Sequence, residues 1–423
     1  MKLTMQRVAM ISYHTCPLAT LGGKDTGGMN VYVRELTRHL GRLGVHVDVF
    51  TRSQDEHVPH VLHDLGYGNR VVHIPAGPEV PLSKETLASY LPQFVAEILR
   101  FTEQKNLQYD LIHSHYWMSG VAAIELKKSW NTPIIHMYHT LGLMKNRIAR
   151  SETEMEGEYR VSGEKEVLQA ADRVVAATQA ERAQLQFLYH AANRKIAIIP
   201  PGVDTAHFYP IPPDEAKEVV GIPKGDCLIL FVGRIEPLKG IEVLLRALAH
   251  QRSNNQVSAC PQSLAIIGGD PNSRDMNAEM KRLQILCDEL GIGDMVVFLG
   301  KRSQSSLPYY YSAAEVMVVP SHYESFGMVA LEALACGTPV VASQVGGLAF
   351  LIEDGVTGYV VPDDDPVALS ERLSSIMDQG ELRRQMSANG VKHANKYAWE
   401  KVAAKMLALY QEVLAMYEGG SHP

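Results

Sequence analysis

The 423-residue sequence contains no run of about eighteen consecutive apolar residues, so no segment is suited to cross a bilayer as a helix. It also lacks a strong excess of charge of one sign: the formal net charge is −7, with acidic and basic residues interspersed. A surface built to track a phosphate backbone is not expected, and neither a nucleic-acid nor a membrane partner is indicated. Cysteine is scarce, with five residues (Cys16, Cys227, Cys260, Cys287 and Cys336) at wide and irregular separations. Such usage fits reduced thiols in a cytoplasmic protein and forms no metal-ligand spacing, so all five are expected to be packed, unpaired side chains. The opening "MKLTMQRVAMISYHTCP" enters a strand-like run directly, without the long apolar core and cleavage site of a secretory leader. No short-period repeat or low-complexity tract occurs.

What is present is the composition of a soluble globular protein, 46% apolar and 21% charged. The length suits two domains of about 200 residues each. "RVAMISY" reads as a strand, and "GGMNVYVRELTRHLGRLG" follows with helical spacing that places Val31, Leu36, Leu40 and Leu43 near one face. "VHVDVFT" is the next strand, so the order is that of a parallel α/β unit. "VVHIPA", "DLIHSHY", "PIIHMYH" and "RVVAATQ" continue the rhythm. "IIPPGVDTAHFYPIPPDEA" is dense in proline and turn residues and reads as a linker. After it, "CLILFVGRI", "SLAIIGGD", "MVVFLG", "VMVVP" and "TPVVAS" supply a second set of strands, and "YAWEKVAAKMLALYQEVLAMYEGG" closes the chain as one amphipathic helix. Two doubly wound α/β domains facing one another are expected, with ligands at the carboxyl ends of their strands.

The loops after these strands carry the residues suited to chemistry. "GGKDTGGMN" (Gly22 to Asn30) joins the first strand to the first helix, where glycines admit a close ligand and free N–H groups favour an anion; a plain tight turn is the alternative. It has neither the dinucleotide-binding nor the P-loop spacing. "FVGRIEPLKG" places Arg234 and Lys239 in the equivalent loop of the second domain, five residues apart. An arginine fork and a lysine point charge so placed suit a diphosphate, and Arg302 in "GKRSQSSL" is a further cation at a strand end. In "ESFGMVALE", Glu324 lies in a loop past a strand and Glu332 inside an apolar helix, eight positions on. A carboxylate there should be satisfied by donors or open to a ligand, one accepting from sugar and the other from ribose hydroxyls; the alternative for Glu332 is a solvated helix face. His113 and His115 share one strand face without an evident third metal ligand, so a structural or site-lining role is expected. His139 ends a strand beside Thr140 and suits a ligand role. Most of "RIARSETEMEGEYRVSGEKEVLQAAD" reads as a solvated helix whose glutamates have no role, Arg160 being set apart.

"GGMNVYV", "HSHYWMSG", "VGRIEPLKG" and "ESFGMVALE", in this order and over nearly the whole chain, resemble the family 4 retaining glycosyltransferases of GT-B architecture. The resemblance implies two Rossmann-like domains across a cleft: an acceptor domain at 1–205, a nucleotide-sugar domain at 206–396, and a helix at 397–423 crossing back to the first. It implies that Arg234 and Lys239 contact the donor diphosphate, Glu324 the donor sugar and Glu332 the ribose, with Gly27, Gly28 and Arg302 also on the donor. His139 would lie near the donor sugar, giving a catalytic set of His139, Arg234, Lys239 and Glu324. Within the family the chain looks similar to members with phosphorylated acceptors, whose phosphate sites fall on Lys84, Tyr116, Thr140 and Arg160.

The chemistry so implied is transfer from a UDP-sugar with retained configuration, a cationic clamp taking the place of a metal's Lewis acidity. No paired carboxylates are poised as in a retaining glycoside hydrolase, and domain closure would exclude water. No cofactor is required, although magnesium (Mg2+) is compatible with a diphosphate, and no metal site is expected. The leading expectation is a sucrose-phosphate synthase activity joining UDP-glucose and fructose 6-phosphate into sucrose 6-phosphate and UDP. The alternatives are an inositol-phosphate N-acetylglucosaminyltransferase of mycothiol synthesis and a nucleotide-sugar-binding protein without catalysis. A cytoplasmic monomer or homodimer is expected.

Overall fold

The computed structural model describes residues 7–19, 27–149, 152–253, 260–269 and 278–418. They form two compact units, each considered by itself: the first holds the described chain up to Pro201 and again from Trp399, and the second holds Gly202–Ala398.

Apolar and β-branched runs build the first unit's sheet. Its strands are β1 (Arg7–Ile11), β2 (His46–Arg52), β3 (Val61–Leu62), β4 (Arg70–Ile74), β5 (Leu111–His115), β6 (Ile134–Met137), β7 (Arg173–Ala176) and β8 (Ile196–Ile198). They lie in the order β3-β4-β2-β1-β5-β6-β7-β8, parallel except for the short β3–β4 pair. Parallel neighbours need a crossover, which helices supply. The order reverses beside β1, whose neighbours are β2 and β5, and such a switch point opens a crevice at the strands' carboxyl ends. β5 is wholly buried although His113, Ser114 and His115 are polar. A strand sealed on both faces ordinarily reads as apolar throughout, so this one departs from the rule where a site begins.

The helix Gly28–Arg42 buries Val31, Leu36 and Leu40, whereas Leu43, expected on the same face, caps the helix end and is 45% exposed. Its start is pinned by Asn30, whose Oδ1 accepts from the Gly27 N–H at 2.9 Å and whose Nδ2 donates to Thr15 Oγ1 and the Cys16 carbonyl. Gly22–Thr26 of the glycine-rich loop lie outside the described residues. The last helix, Trp399–Glu418, belongs to the first unit: the Trp399 ring meets Tyr32 edge-on at 5.4 Å, and Tyr410 Oη lies 2.6 Å from His113 Nδ1.

The second unit's strands are β9 (Cys227–Val232), β10 (Gln262–Ile267), β11 (Val296–Gly300), β12 (Val316–Val319), β13 (Val340–Ser343) and β14 (Gly358–Val361). Their order is β11-β10-β9-β12-β13-β14, all parallel, with the reversal beside β9. "CLILFV" is buried from end to end, as a strand covered on both faces should be.

The cysteine reading is corrected by the structure. Cys227 and Cys260 form a disulfide, leaving Cys16, Cys287 and Cys336 as thiols. β9 and β10 run side by side from the same end, with Cys227 N–H donating to the Pro261 carbonyl and the two Cα atoms 5.8 Å apart. That separation suits a bridge. The proline-dense stretch does join the two units, the boundary falling at Pro201/Gly202. From Gly202 it packs on the second unit, burying Phe208 against Tyr311 and Ile211, whose N–H donates to Ser312.

Candidate active site

In the first unit, Lys84, Tyr116, Thr140 and Arg160 come together although they span much of the unit's sequence. Tyr116 follows β5 directly, and its backbone takes φ = 72°, a left-handed conformation that costs an aromatic residue on the order of 1–3 kcal/mol. Its N–H donates to the Met137 carbonyl of β6, which holds the turn in place. Two cations lie against the ring, with Lys84 Nζ 5.8 Å and Arg160 Cζ 5.1 Å from its centroid. Lys84 opens the helix Lys84–Ser89, capped by Ser83. The loop before it is stapled by Arg52, which is 1% exposed and donates to the carbonyls of Ala76, Val80 and Pro78.

Arg160 is 1% exposed, on the helix Glu158–Ala170. Its Nη2 donates to Thr140 Oγ1 at 3.0 Å and to the Thr140 carbonyl at 3.1 Å, while Nε donates to Glu164 Oε1 at 2.9 Å. Nη1 pairs with Glu156 at 2.6 Å. Burial works against its charge, yet Tyr116, Glu164 and Glu156 outweigh it and raise the guanidinium's pKa. Burial likewise pushes the Glu156 carboxyl up, but Arg160 and Lys145 hold it below its ordinary value. The charged segment read mostly as a solvated helix therefore faces inward at Arg160, Val161, Gly163, Glu164, Val167 and Leu168. Glu156 and Glu164 were missed as site residues. Glu164, four residues after Arg160 on the same helix, was signalled by that spacing, whereas Glu156 precedes the helix and was not.

His139, one residue before Thr140, is also left-handed at φ = 61° and half-buried. Its Nε2 lies 3.0 Å from His115 Nδ1, and the His113 and His115 rings are 4.2 Å apart, on one strand face as expected. Burial lowers the pKa of His139 and of His113 to about 3, and holds His115 and His136 well below the usual histidine range. All four rings are neutral at physiological pH. Among the described residues no three His, Cys, Asp or Glu side chains gather in a way that could hold a metal ion.

In the second unit, the loops after β9 and β12 interlock at the switch point. Gly240 has φ = 63°, and a Cβ there would stand 1.9 Å from the Pro320 carbonyl oxygen, so only glycine allows this approach. The His322 N–H donates to the Leu238 carbonyl at 3.0 Å. The interlock brings Lys239 to Glu324, Nζ to Oε2 at 2.6 Å, both side chains partly open to solvent. Arg234 follows β9 with its side chain 43% exposed and pairs with Glu236 at 3.0 Å. Glu332 is buried in the helix Met328–Ala335 and accepts from Tyr311 Oη at 2.8 Å, which excludes the solvated-face alternative. Arg302, after β11, donates to Tyr310 Oη at 2.9 Å. Gly27 and Gly28 lie in the first unit, at the start of its first helix.

These two constellations sit at the strand ends where α/β sheets bind ligands, and comparison with known proteins gives them a context. Residues 26–207 match the model of Glycosyltransferase Family 4, and residues 213–393 that of Glycosyl transferases group 1. A D-inositol 3-phosphate glycosyltransferase of Catenulispora acidiphila is 42% identical over 96% of this chain and 94% of its own. The chain belongs to the family 4 glycosyltransferases. Its counterpart in Acidothermus cellulolyticus, also a D-inositol 3-phosphate glycosyltransferase, is 40% identical over 97% of this chain and 91% of its own. Among solved structures, the sucrose-phosphate synthase of Thermosynechococcus elongatus is 37% identical with a TM-score of 0.88, covering 97% of this chain and 99% of its own. The architecture is GT-B, and the protein is a glycosyltransferase using a nucleotide sugar, which sets aside the non-catalytic alternative.

Proposed function

We propose that the protein moves a hexosyl group, with retention of configuration, from a UDP-sugar to a hydroxyl of a phosphorylated sugar or polyol. The observation that carries this reading is the grouping of Lys84, Tyr116, Thr140 and Arg160, two cations and two hydroxyls at the carboxyl ends of the first sheet. Such a set matches a phosphate monoester, the arginine through its solvent-side Nη1 and the lysine as a point charge. On the donor side Arg234 and Lys239 take the diphosphate, Glu324 the sugar and Glu332 the ribose, with Gly27, Gly28 and Arg302 supporting the donor and His139 near its sugar.

The bond from the anomeric carbon to the diphosphate oxygen breaks as the bond to the acceptor hydroxyl oxygen forms. The hydroxyl proton passes to the departing diphosphate on the same face. Charge on that oxygen grows toward the transition state, so Arg234 and Lys239 act on rate more than on affinity. The Lys239–Glu324 pair supports this use: the carboxylate holds the lysine in place while leaving ammonium hydrogens for a diphosphate.

The first reading of the substrates is UDP-glucose and fructose 6-phosphate, supported by the likeness to the synthase over nearly the full length of both chains. A second reading has D-inositol 3-phosphate as acceptor, which the names of the relatives at 40% and 42% identity favour, with UDP-N-acetylglucosamine as its donor. UDP release is to be followed with each donor against fructose 6-phosphate, D-inositol 3-phosphate and their unphosphorylated parents. Release with a phosphorylated acceptor and not with its parent is expected. Equal release with fructose or inositol would overturn the reading.

A further inference from the structure

We propose that Glu164 is the positioning residue of the acceptor-phosphate site: it aims Arg160 and ties that guanidinium to the loop bearing His139 and Thr140. The proposal rests on the acceptor reading above and assigns a role to a residue outside it.

The case begins with burial. Glu164 is 0% exposed, and a carboxylate so placed is tolerated only where donors surround it. Its donors are unusually complete. Arg160 Nε donates to Oε1 at 2.9 Å, the Gly142 N–H lies 3.0 Å from both oxygens, and Tyr189 Oη donates to Oε2. The Glu164 carbonyl also accepts from Tyr138 Oη at 2.7 Å. The carboxylate's donors come from the start of the helix Gly142–Ile148, from the helix Gln179–Tyr189 and from Glu164's own helix, so three elements hold it.

Fixing Glu164 fixes Arg160. A guanidinium is planar, so holding Nε on Glu164 and Nη2 on Thr140 sets the direction of the remaining Nη1. Nη1 meets Glu156, whose side chain is 20% exposed, whereas that of Glu164 is sealed. The solvent-side partner can give way to an incoming phosphate while the buried one stays. Gly142 belongs to the same device. A Cβ there would stand 3.0 Å from Glu164 Oε2 and 3.2 Å from Arg160 Nε, so glycine lets the loop close onto the pair.

The test compares the full-length wild type with Arg160→Ala, Glu164→Gln and Tyr189→Phe. UDP release is measured with saturating UDP-sugar while fructose 6-phosphate, D-inositol 3-phosphate or the unphosphorylated parent of each is varied. Glutamine keeps the shape of Glu164 and removes its charge. The expected result for Glu164→Gln is a rise of about ten- to hundredfold in KM for the phosphorylated acceptor, the size of a lost hydrogen bond to a charged group. The KM for the UDP-sugar stays near wild type, a split that general loosening of the fold would not give. Tyr189→Phe removes one donor to Glu164 and raises the same constant by a smaller factor, about two- to fivefold. This variant carries the test if Glu164→Gln does not fold. A raised acceptor KM in Arg160→Ala, with no change in Glu164→Gln or in Tyr189→Phe, overturns the role of Glu164 and leaves the acceptor site standing. An unchanged KM in Arg160→Ala, or no turnover with either phosphorylated acceptor, overturns the acceptor site and this inference together.

Discussion

Lys239 and Lys84 are both cations at strand ends, yet their surroundings separate their roles. Lys239 is braced by Glu324 across two interlocked loops, a geometry for a charge that develops during reaction. Lys239→Ala is expected to lower kcat by about two to three orders of magnitude, as loss of a fixed transition-state stabiliser does. A near-normal kcat would remove the diphosphate clamp. Lys84 stands over the Tyr116 ring in the other unit. Lys84→Ala is expected to raise the KM for the phosphorylated acceptor about tenfold or more while the donor KM holds, the scale of a lost charge-assisted contact. Equal losses for both substrates would make Lys84 structural. Lys84, Tyr116, Thr140 and Arg160 could be named from motifs. Glu164 and Arg52 were not so named: the four-residue spacing pairs Glu164 with Arg160, but nothing local tells a sealed charge from a solvated one, and both side chains owe their burial to partners far along the chain.

At the scale of elements, the strand-loop-helix order was legible because buried parallel strands are short apolar runs and their connections are rich in turn residues. β3 and β8 were not separately legible, having only two and three residues, and β14 was not read from the sequence either. β5 has the most distinctive consequence. His113 and His115 on β5, His136 on β6 and His139 just after it are neutral when folded, His113 and His139 remaining so down to about pH 3. In the unfolded chain the same rings take up protons below about pH 6.5. The unfolded state therefore binds more protons between about pH 6.5 and pH 3, and stability falls as the pH drops through that window. His113 is wholly buried and alone is expected to contribute a loss of about 2 kcal/mol by pH 5. Denaturant titrations at pH 7 and pH 5 should show the decline, and one shallower in His113→Asn than in wild type. A pH-independent midpoint, or an identical slope in the variant, would contradict it.

For the whole molecule, two α/β units were readable from the restart of the strand rhythm, and the last helix joins the first unit through Trp399 and Tyr410. Less legible were pairings set by the sheet as a whole. The Cys227–Cys260 bridge depends on β9 and β10 being neighbours in register, which spacing along the chain does not reveal. The carbon skeleton of the proposed acceptor lies in the same category, since two cations and two hydroxyls suit a phosphate whatever bears it.

The central claim is that this cluster reads a phosphate on the acceptor, and a substrate-by-mutant cycle tests it most directly. The ratio of kcat/KM for the phosphorylated acceptor to that for its unphosphorylated parent is measured in wild type and in Arg160→Ala. Losing one partner of a buried charge pair costs about 2–5 kcal/mol, so the ratio is expected to fall by at least about thirtyfold in the variant. A ratio that is the same in both proteins would contradict the account.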